Sequence, residues 1–431
     1  MFLRVICCAG IYACLVLPVW AETSPQSGET PSPARADKFD GLAPFVERVW
    51  AESPAVRKAH AALEAARARA EGADRPLHNP QLELDAEQTG VNTTSLGLTQ
   101  TIDWSDKRGA LTRIAGQETL AAEAGLRGVR QRIAIETLEA LVRYSTAREM
   151  LALAQRSSRL MEEFVAAVKQ RREAGDVAAL DVTLAEVAYS EALMEQAASE
   201  GELIAAEAAL QAVSGLTLAQ WPALPEEPAP PAQADMTLLD SLPELEIVRH
   251  RMEAARARIE LARKRAKIDP TIGIRAGREE SDELLGLSIG IPLFVRNNYQ
   301  AGIRAASHQA SAEEQAYRDA RRRAAARLEG ALGRFSSTSR AWEAWKATGQ
   351  QALQRQRELL EQMWQARELT ATDFLIQAKQ NIDTQATASR LRNQVWQAAV
   401  AWLEASGQIE RWLGLAERNQ NTNTNPGETE K

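Results

Sequence analysis

Few residues in this chain could do chemistry on their own. Its four histidines, His60, His78, His250 and His308, are scattered and show no metal-ligand spacing. G-x-S-x-G, P-loop and H-E-x-x-H signatures are absent. No Met or Cys cluster offers soft metal ligands. The reading is therefore of a non-enzyme with no catalytic residue, no metal site and no cofactor. Two carboxylates stand out by position instead. Asp181, in Leu180-Asp181-Val182, and Asp373, in Thr372-Asp373-Phe374, lie 192 positions apart. A ring of carboxylates at a constriction favours cations and resists anions. A carboxylate just after a turn equally serves to cap a returning helix.

The offset extends well beyond that pair. Asn79-Pro80 and Asp269-Pro270 are 190 apart, and Leu96-Gly97-Leu98 and Leu285-Gly286-Leu287 are 189 apart. Such a constant spacing over half a chain is internal duplication. Each copy reads as a helix, two short alternating strands, and a very long helix with a sharp break. The first copy spans 41–221, with strands about 80–104 and long helices to about 216; the second spans 236–416, with strands about 271–294 and helices to about 413. Pro222 to Asp235 is a Pro-rich linker between them, and 417–431 is a polar, disordered tail.

The N-terminus has the form of a secretory signal over 1–21: Arg4, an apolar stretch from Val5 to Leu17, and Val19-Trp20-Ala21 for cleavage. A membrane anchor is the alternative, with an apolar run short for a bilayer. A flexible lead-in follows over 22–40. All three cysteines, Cys7, Cys8 and Cys14, fall inside the signal, so the mature chain has no thiol chemistry; lipidation at Cys14 stays open, at a poor processing site. The net charge of −7 and pI near 5.5 disfavour nucleic acid as a partner.

The strands decide the class. Leu82, Leu84 and Ala86 alternate with Glu83, Asp85 and Glu87; after a turn at Val91 to Thr94, Leu96, Leu98, Ile102 and Trp104 alternate with small and polar residues. In the second copy Ile272, Ile274 and Ala276 precede an acidic turn from Glu279 to Glu283. Leu285, Leu287, Ile289, Ile291 and Leu293 then alternate with Gly, Ser and Pro. Period-two alternation gives one apolar and one polar face. Strands of about 8–10 residues suit a tilted bilayer crossing with a wet interior. Two hairpins packed on helices in a soluble α+β domain show the same alternation, but leave the helices unexplained.

Those helices are too long for a globular core. From Lys107 to Arg172, and again from Asn298 to Arg367, the pattern runs without a break for about 100 Å. Returning helices follow to Val213 and from Thr372 to Leu413, and helices over Ser53 to Arg75 and Pro243 to Ile268 precede the strands. Apolar spacing such as Ile133, Leu138, Leu141 and Leu151 suits lateral coiled-coil packing. Four strands cannot close a membrane barrel, and open edges are not tolerated in lipid. Strands in a membrane thus require several copies to share one barrel, with the helices continuing it as a tube.

In this layout the chain resembles the TolC-like outer-membrane efflux proteins over about residues 40 to 416. The resemblance is carried by the run Leu285 to Ile303 (LGLSIGIPLFVRNNYQAGI), Arg172 to Val177 (REAGDV) and Leu180-Asp181-Val182. The IPLF run followed by RNN is most similar to the CzcC-like branch, which serves heavy-metal pumps. The resemblance implies an α+β membrane channel: a homotrimer, four strands per subunit in a shared twelve-stranded β-barrel, and a periplasmic α-barrel. Its implied partners are a periplasmic adaptor, an inner-membrane RND pump and outer-membrane lipid, in the outer membrane of a Gram-negative cell. Metal cations are the implied cargo; drug efflux, peptide secretion and a periplasmic coiled-coil adaptor are the alternatives. The resemblance marks Asp373 as a pore-lining candidate, with Ile376 where the most acidic relatives have a further Asp; Asp181 reads as a tip-packing or gate-contact residue. The tips, Ala174, Gly175, Asp176 and Val177 with Leu369 and Thr370, become adaptor contacts. Trp104, at a strand end, is an interfacial aromatic; Trp396, Trp402 and Trp412 are packing residues.

Overall fold

The computed structural model describes residues 41–88, 90, 92–228 and 235–415. The signal segment, its cysteines, the lead-in to residue 40, the middle of the linker and the tail lie outside the described residues.

The order is α1 (Leu42–Glu52), α2 (Pro54–Ala73), β1 (Gln81–Gln88), β2 (Asn92–Thr101), α3 (Lys107–Glu173) and α4 (Ala179–Ser214). The second copy gives α5 (Pro243–Arg265), β3 (Thr271–Glu279), β4 (Asp282–Gly290), α6 (Gln300–Ala344), α7 (Gln350–Gln365), α8 (Ala371–Ser406) and α9 (Ile409–Trp412). The long-helix expectation holds best for α3, whose 67 residues extend about 100 Å. Both returning helices, α4 and α8, have 36 residues, so the duplication is metric as well as sequential.

Three boundaries differ from the sequence reading, each for a local reason. Pro54 opens α2 because it cannot donate to a preceding carbonyl, which separates the amphipathic α1, with Phe45, Val46 and Val49 buried. The helix expected to run unbroken to Arg367 contains a π turn over Trp345–Gly349. There Glu227, from the linker, binds both Lys346 and the Trp342 indole N–H, and a β-carbon at Gly349 would run into the Trp345 ring. The last helix breaks at Gly407, which takes φ 68.

The four strands form one antiparallel sheet in the order β1-β2-β3-β4, so the two copies join through β2 and β3. β2 begins at Asn92, inside the expected turn. The second hairpin turns tightly at Glu280-Ser281, pairing Glu279 with Asp282, so the acidic turn is shorter than expected. β4 stops at Gly290, before Pro292, which has no N–H for a ladder.

Packing is lateral. α1, α3, α5, α6 and α8 meet around Leu138, Leu239, Leu245, Leu328, Val400 and Ile409, all buried. A second cluster joins α1 and α2 to α3 around Phe45, Leu141 and Trp221. Trp396 and Trp402 are buried and Trp412 partly so, as packing residues should be. No described helix is long and apolar enough to cross a membrane.

Candidate functional site

Two ends of the molecule carry the features that could make a conduit. At the sheet end, register assigns each residue to a face. Leu82, Leu98, Ile274 and Leu287 lie in one row, and Leu84, Leu96, Ala276 and Leu285 in another. These apolar rows face solvent: Leu84 is 75% exposed, Leu285 87% and Leu287 83%. So large an exposed apolar patch marks a surface that water does not cover in the cell. The opposite face carries Gln81, Thr99, Gly273 and Ser288, then Glu83, Gly97, Arg275 and Gly286, then Asp85, Ser95, Gly277 and Leu284. Thr99 donates to Glu83 at 3.2 Å, and the Thr101 and Thr271 hydroxyls meet at 2.9 Å. The glycines belong to this polar face for steric reasons. At Gly277 a β-carbon would press into the Thr94 carbonyl oxygen, and at Gly273 it would stand 2.8 Å from Thr99.

The strands are locked to the helices by matched joins. Asp106 and Tyr299 both take a left-handed conformation and cap α3 and α6. Asp103 accepts from the Lys107 and Arg108 backbone N–H groups, both at 2.8 Å. In the second copy Asn297 and Asn298 accept from Tyr299 and Gln300, so the RNN run is the helix-start device. Across the join Lys107 pairs with the buried Asp269, and Lys264 with Asp106, both at 2.7 Å. The Lys264 hydrogen bond holds the Asp106 carboxyl below its usual range. Trp104 is 75% exposed just beyond β2, at this same level.

At the far end, α3 turns into α4 and α7 into α8 through the same motif. Gly175 has φ 84 and Arg367, 192 positions on, has φ 60. In each turn the next N–H reaches back along the helix, Asp176 to the Arg171 carbonyl and Glu368 to the Met363 carbonyl, both at 2.9 Å. The expected tip residues Ala174, Gly175, Asp176 and Val177 sit in the first turn, and Leu369 and Thr370 in the second. Thr370 caps α8: its hydroxyl accepts from the Asp373 N–H at 3.1 Å and donates to the Asp373 carboxylate at 2.6 Å. Asp181 occupies the equivalent place in α4, accepting from the Ala178 N–H at 3.0 Å and from the Thr372 hydroxyl at 3.4 Å. Asp181 thus caps α4, the Asp373 carboxylate orients the capping Thr370, and Thr372 brings the two turns together.

The sequence reading missed what holds these turns to each other. Phe164, Trp364 and Phe374 stack with centroids 4.7–5.4 Å apart. The Arg171 guanidinium lies 3.7 Å from the Trp364 ring centroid and donates to the Trp364 carbonyl at 2.9 Å. Arg367 meets Asp176 at 3.5 Å on the exposed side. The offset of 192 that pairs Asp181 with Asp373 also pairs Gly175 with Arg367, so this second turn was readable. The stacking was not, because its rings come from both copies. The described residues contain no group of three or more His, Cys, Asp or Glu side chains that could hold a metal ion.

Residues 46–216 match the model of the outer membrane efflux protein family. The likeness to that family covers residues 46–216 of the 431. The cobalt-zinc-cadmium resistance protein CzcC of Cupriavidus metallidurans is 27% identical over 56% of this chain and 60% of its own length. The nickel-cobalt-cadmium resistance protein NccC of Alcaligenes xylosoxydans xylosoxydans is 28% identical over 64% of this chain and 67% of its own. The chain therefore spans about three fifths to two thirds of those relatives. Among solved structures, CusC superposes with a TM-score of 0.72 at 18% identity, covering 89% of this chain and 98% of CusC. The outer membrane channel CmeC of Campylobacter jejuni gives 0.72 at 13%, covering 90% of both chains. The efflux-protein fold, with strands at one end of a long helical body, is what these share. The matched family is one of outer membrane proteins, and CmeC is an outer membrane channel.

Proposed function

We propose that the chain is one third of a passive outer-membrane duct that exports heavy-metal cations handed to it by a periplasmic adaptor and an inner-membrane RND pump. One observation carries this: a four-stranded sheet with an exposed apolar face, a polar face and two unpaired edges, set on helices about 100 Å long. A single copy cannot leave those edges open in lipid, since each unpaired backbone group there costs several kcal/mol. Three copies supply twelve strands and close the barrel without an edge.

Other features fit the same assembly. α4 exposes Leu180, Leu184 and Val187 at helical spacing, with Met194 and Ile204 further along, a stripe for a neighbouring copy. The two named metal-resistance relatives favour cations as cargo, and the polar strand face, with Glu83, Asp85, Glu87 and Glu279 against Arg275, suits positive charge. Asp181 and Asp373 are the gate and pore candidates at the tip, and the turns at Gly175 and Leu369 are where an adaptor hairpin would engage. The duct does no chemistry of its own.

The direct functional test is loss of the gene in its host. Metal tolerance should fall, and the wild-type chain should restore it. Unchanged tolerance to cobalt, zinc, cadmium and nickel, with raised sensitivity to organic drugs, would replace the metal reading with a drug duct.

A further inference from the structure

We infer that Arg275 is a clasp between subunits: it reaches across Gly286 to Glu87 of the partner subunit and fixes the register of the seam between β4 and the next β1. The inference rests on the shared barrel proposed above and adds the contact that sets its pairing.

The first observation is the direction of Arg275. Its side chain lies over Gly286, with Cγ and Nε 3.0 and 2.7 Å from where a β-carbon there would stand. It therefore runs from β3 across β4 towards the open edge of the sheet. Any side chain at position 286 would block that path. Among the described residues no hydrogen bond or ion pair holds the guanidinium. The second observation is the opposite edge. β1 presents Glu83, Asp85 and Glu87 on the same polar face, three acids in a row, and among the described residues Glu87 likewise has no partner. A lone cation leaning towards one edge and an acidic row on the other are complementary when a second copy joins them.

Geometry selects the acid. Strands tilted by about 35–45°, spaced about 4.8 Å with a rise of about 3.3 Å, close a twelve-stranded barrel with a total stagger of roughly 12–18 residues. Three-fold symmetry gives each subunit about a third, and the stagger must be even to keep polar faces together, so it is about four or six. Within the subunit, Gly286 shares a row with Glu83. A stagger of four moves the seam partner of Gly286 to Glu87, of Ser288 to Asp85 and of Gly290 to Glu83. On the outer face it sets Ile289 beside Leu84 and Leu287 beside Ala86. The opposite stagger would aim Gly286 beyond the start of β1 at Gln81 and lose most of the ladder. A stagger of six leaves Glu87 diagonal to Gly286. From β3 to the next β1 is two strand spacings, about 10 Å, which an extended Arg and Glu span together when only glycine lies between. The value of the clasp is selection: a slipped seam would lose the pairing and set acids against one another.

Cross-linking of the full chain in outer membranes tests it. The sequence has cysteine only at positions 7, 8 and 14, and single-cysteine variants control for these. Ser288→Cys with Asp85→Cys should give dimer and trimer bands on oxidation; Ser288→Cys with Gln81→Cys, the unstaggered pairing, should not. Separately, Arg275→Glu should cut the SDS-resistant oligomer several-fold, and adding Glu87→Arg should restore it. Cross-linking through Gln81 in place of Asp85, or an unweakened oligomer in Arg275→Glu, overturns the clasp while leaving the shared barrel intact. A wild-type chain that is monomeric in mild detergent, with neither pair cross-linking, overturns the barrel reading as well.

Discussion

Replacing Arg171 with Ala should open the tip. Arg171 ties the α3–α4 turn to the α7–α8 turn in two ways. Its guanidinium stacks on Trp364 at 3.7 Å, worth about 1–2 kcal/mol at a half-buried site. It also donates to the Trp364 carbonyl at 2.9 Å, a charged hydrogen bond worth about 1.5–3 kcal/mol. The two share one side chain and do not add fully, so about 2–3 kcal/mol per subunit is reasonable. By contrast Arg367 and Asp176, 3.5 Å apart and well exposed, contribute about 0–0.5 kcal/mol. If the tip opens by separating the two turns, a loss of about 2 kcal/mol shifts the open population roughly 30-fold. Conductance of the purified assembly in planar bilayers reads this directly. Arg171→Ala should raise the open probability strongly, Arg171→Lys partly, because an ammonium keeps charge but not the planar fork, and Asp176→Ala scarcely. Equal effects from Arg171→Ala and Asp176→Ala, or none from either, would refute the claim that the stacked contact holds the tip shut.

Other expectations follow from single sites. Asp181→Ala removes the bond to the Ala178 N–H, a helix-cap interaction of about 1 kcal/mol, and the link to Thr372; passive conductance should rise, and no change would count against a gate there. Asp373→Asn should lower the cation-to-anion permeability ratio if its carboxylate faces the pore; an unchanged reversal potential would leave it only the partner of the capping Thr370 hydroxyl. Gly277→Ala forces a β-carbon into the Thr94 carbonyl and should cost about 1–3 kcal/mol, seen as a lower melting temperature of the assembly, whereas Gly290→Ala, with its nearest atom 3.8 Å away, should be tolerated. Glu410 has its pKa raised, chiefly by burial and against the pull of Arg130 and Arg127. The folded state then binds its proton more tightly than the unfolded chain, so its charge lowers stability as pH rises through that range. Glu410→Gln should therefore raise the melting temperature at pH 7, with the gain shrinking as the pH is lowered towards about 4, the unfolded carboxyl's range; a gain independent of pH would contradict that linkage.

Much of the molecule was legible because its signals are local and repeated. Alternation placed all four strands, since a half-exposed strand must separate apolar from polar residues. The constant offset then matched the strand around Gly97 to the one around Gly286 and set the two tips in register, because both copies bury the same faces. What stayed hidden depends on contacts distant in sequence. The π turn at Trp345 follows from Glu227, more than a hundred residues earlier, gripping Lys346. Phe374 stacks between Phe164 and Trp364, which no pattern within either copy announces. Arg367 in a left-handed turn defies the expectation of glycine and is held by the flanking Schellman bonds. Arg275 looks like any polar strand residue until register sets Gly286 beside it.

The proposed duct depends on several copies closing one barrel. The mass of the detergent-extracted complex, by light scattering with bound detergent subtracted, decides this. Three times the mass of the mature chain is expected, from an outer-membrane fraction and only with detergent present. A monomer that stays in solution without detergent would mean that the apolar strand face never meets lipid, and the duct would have to be abandoned.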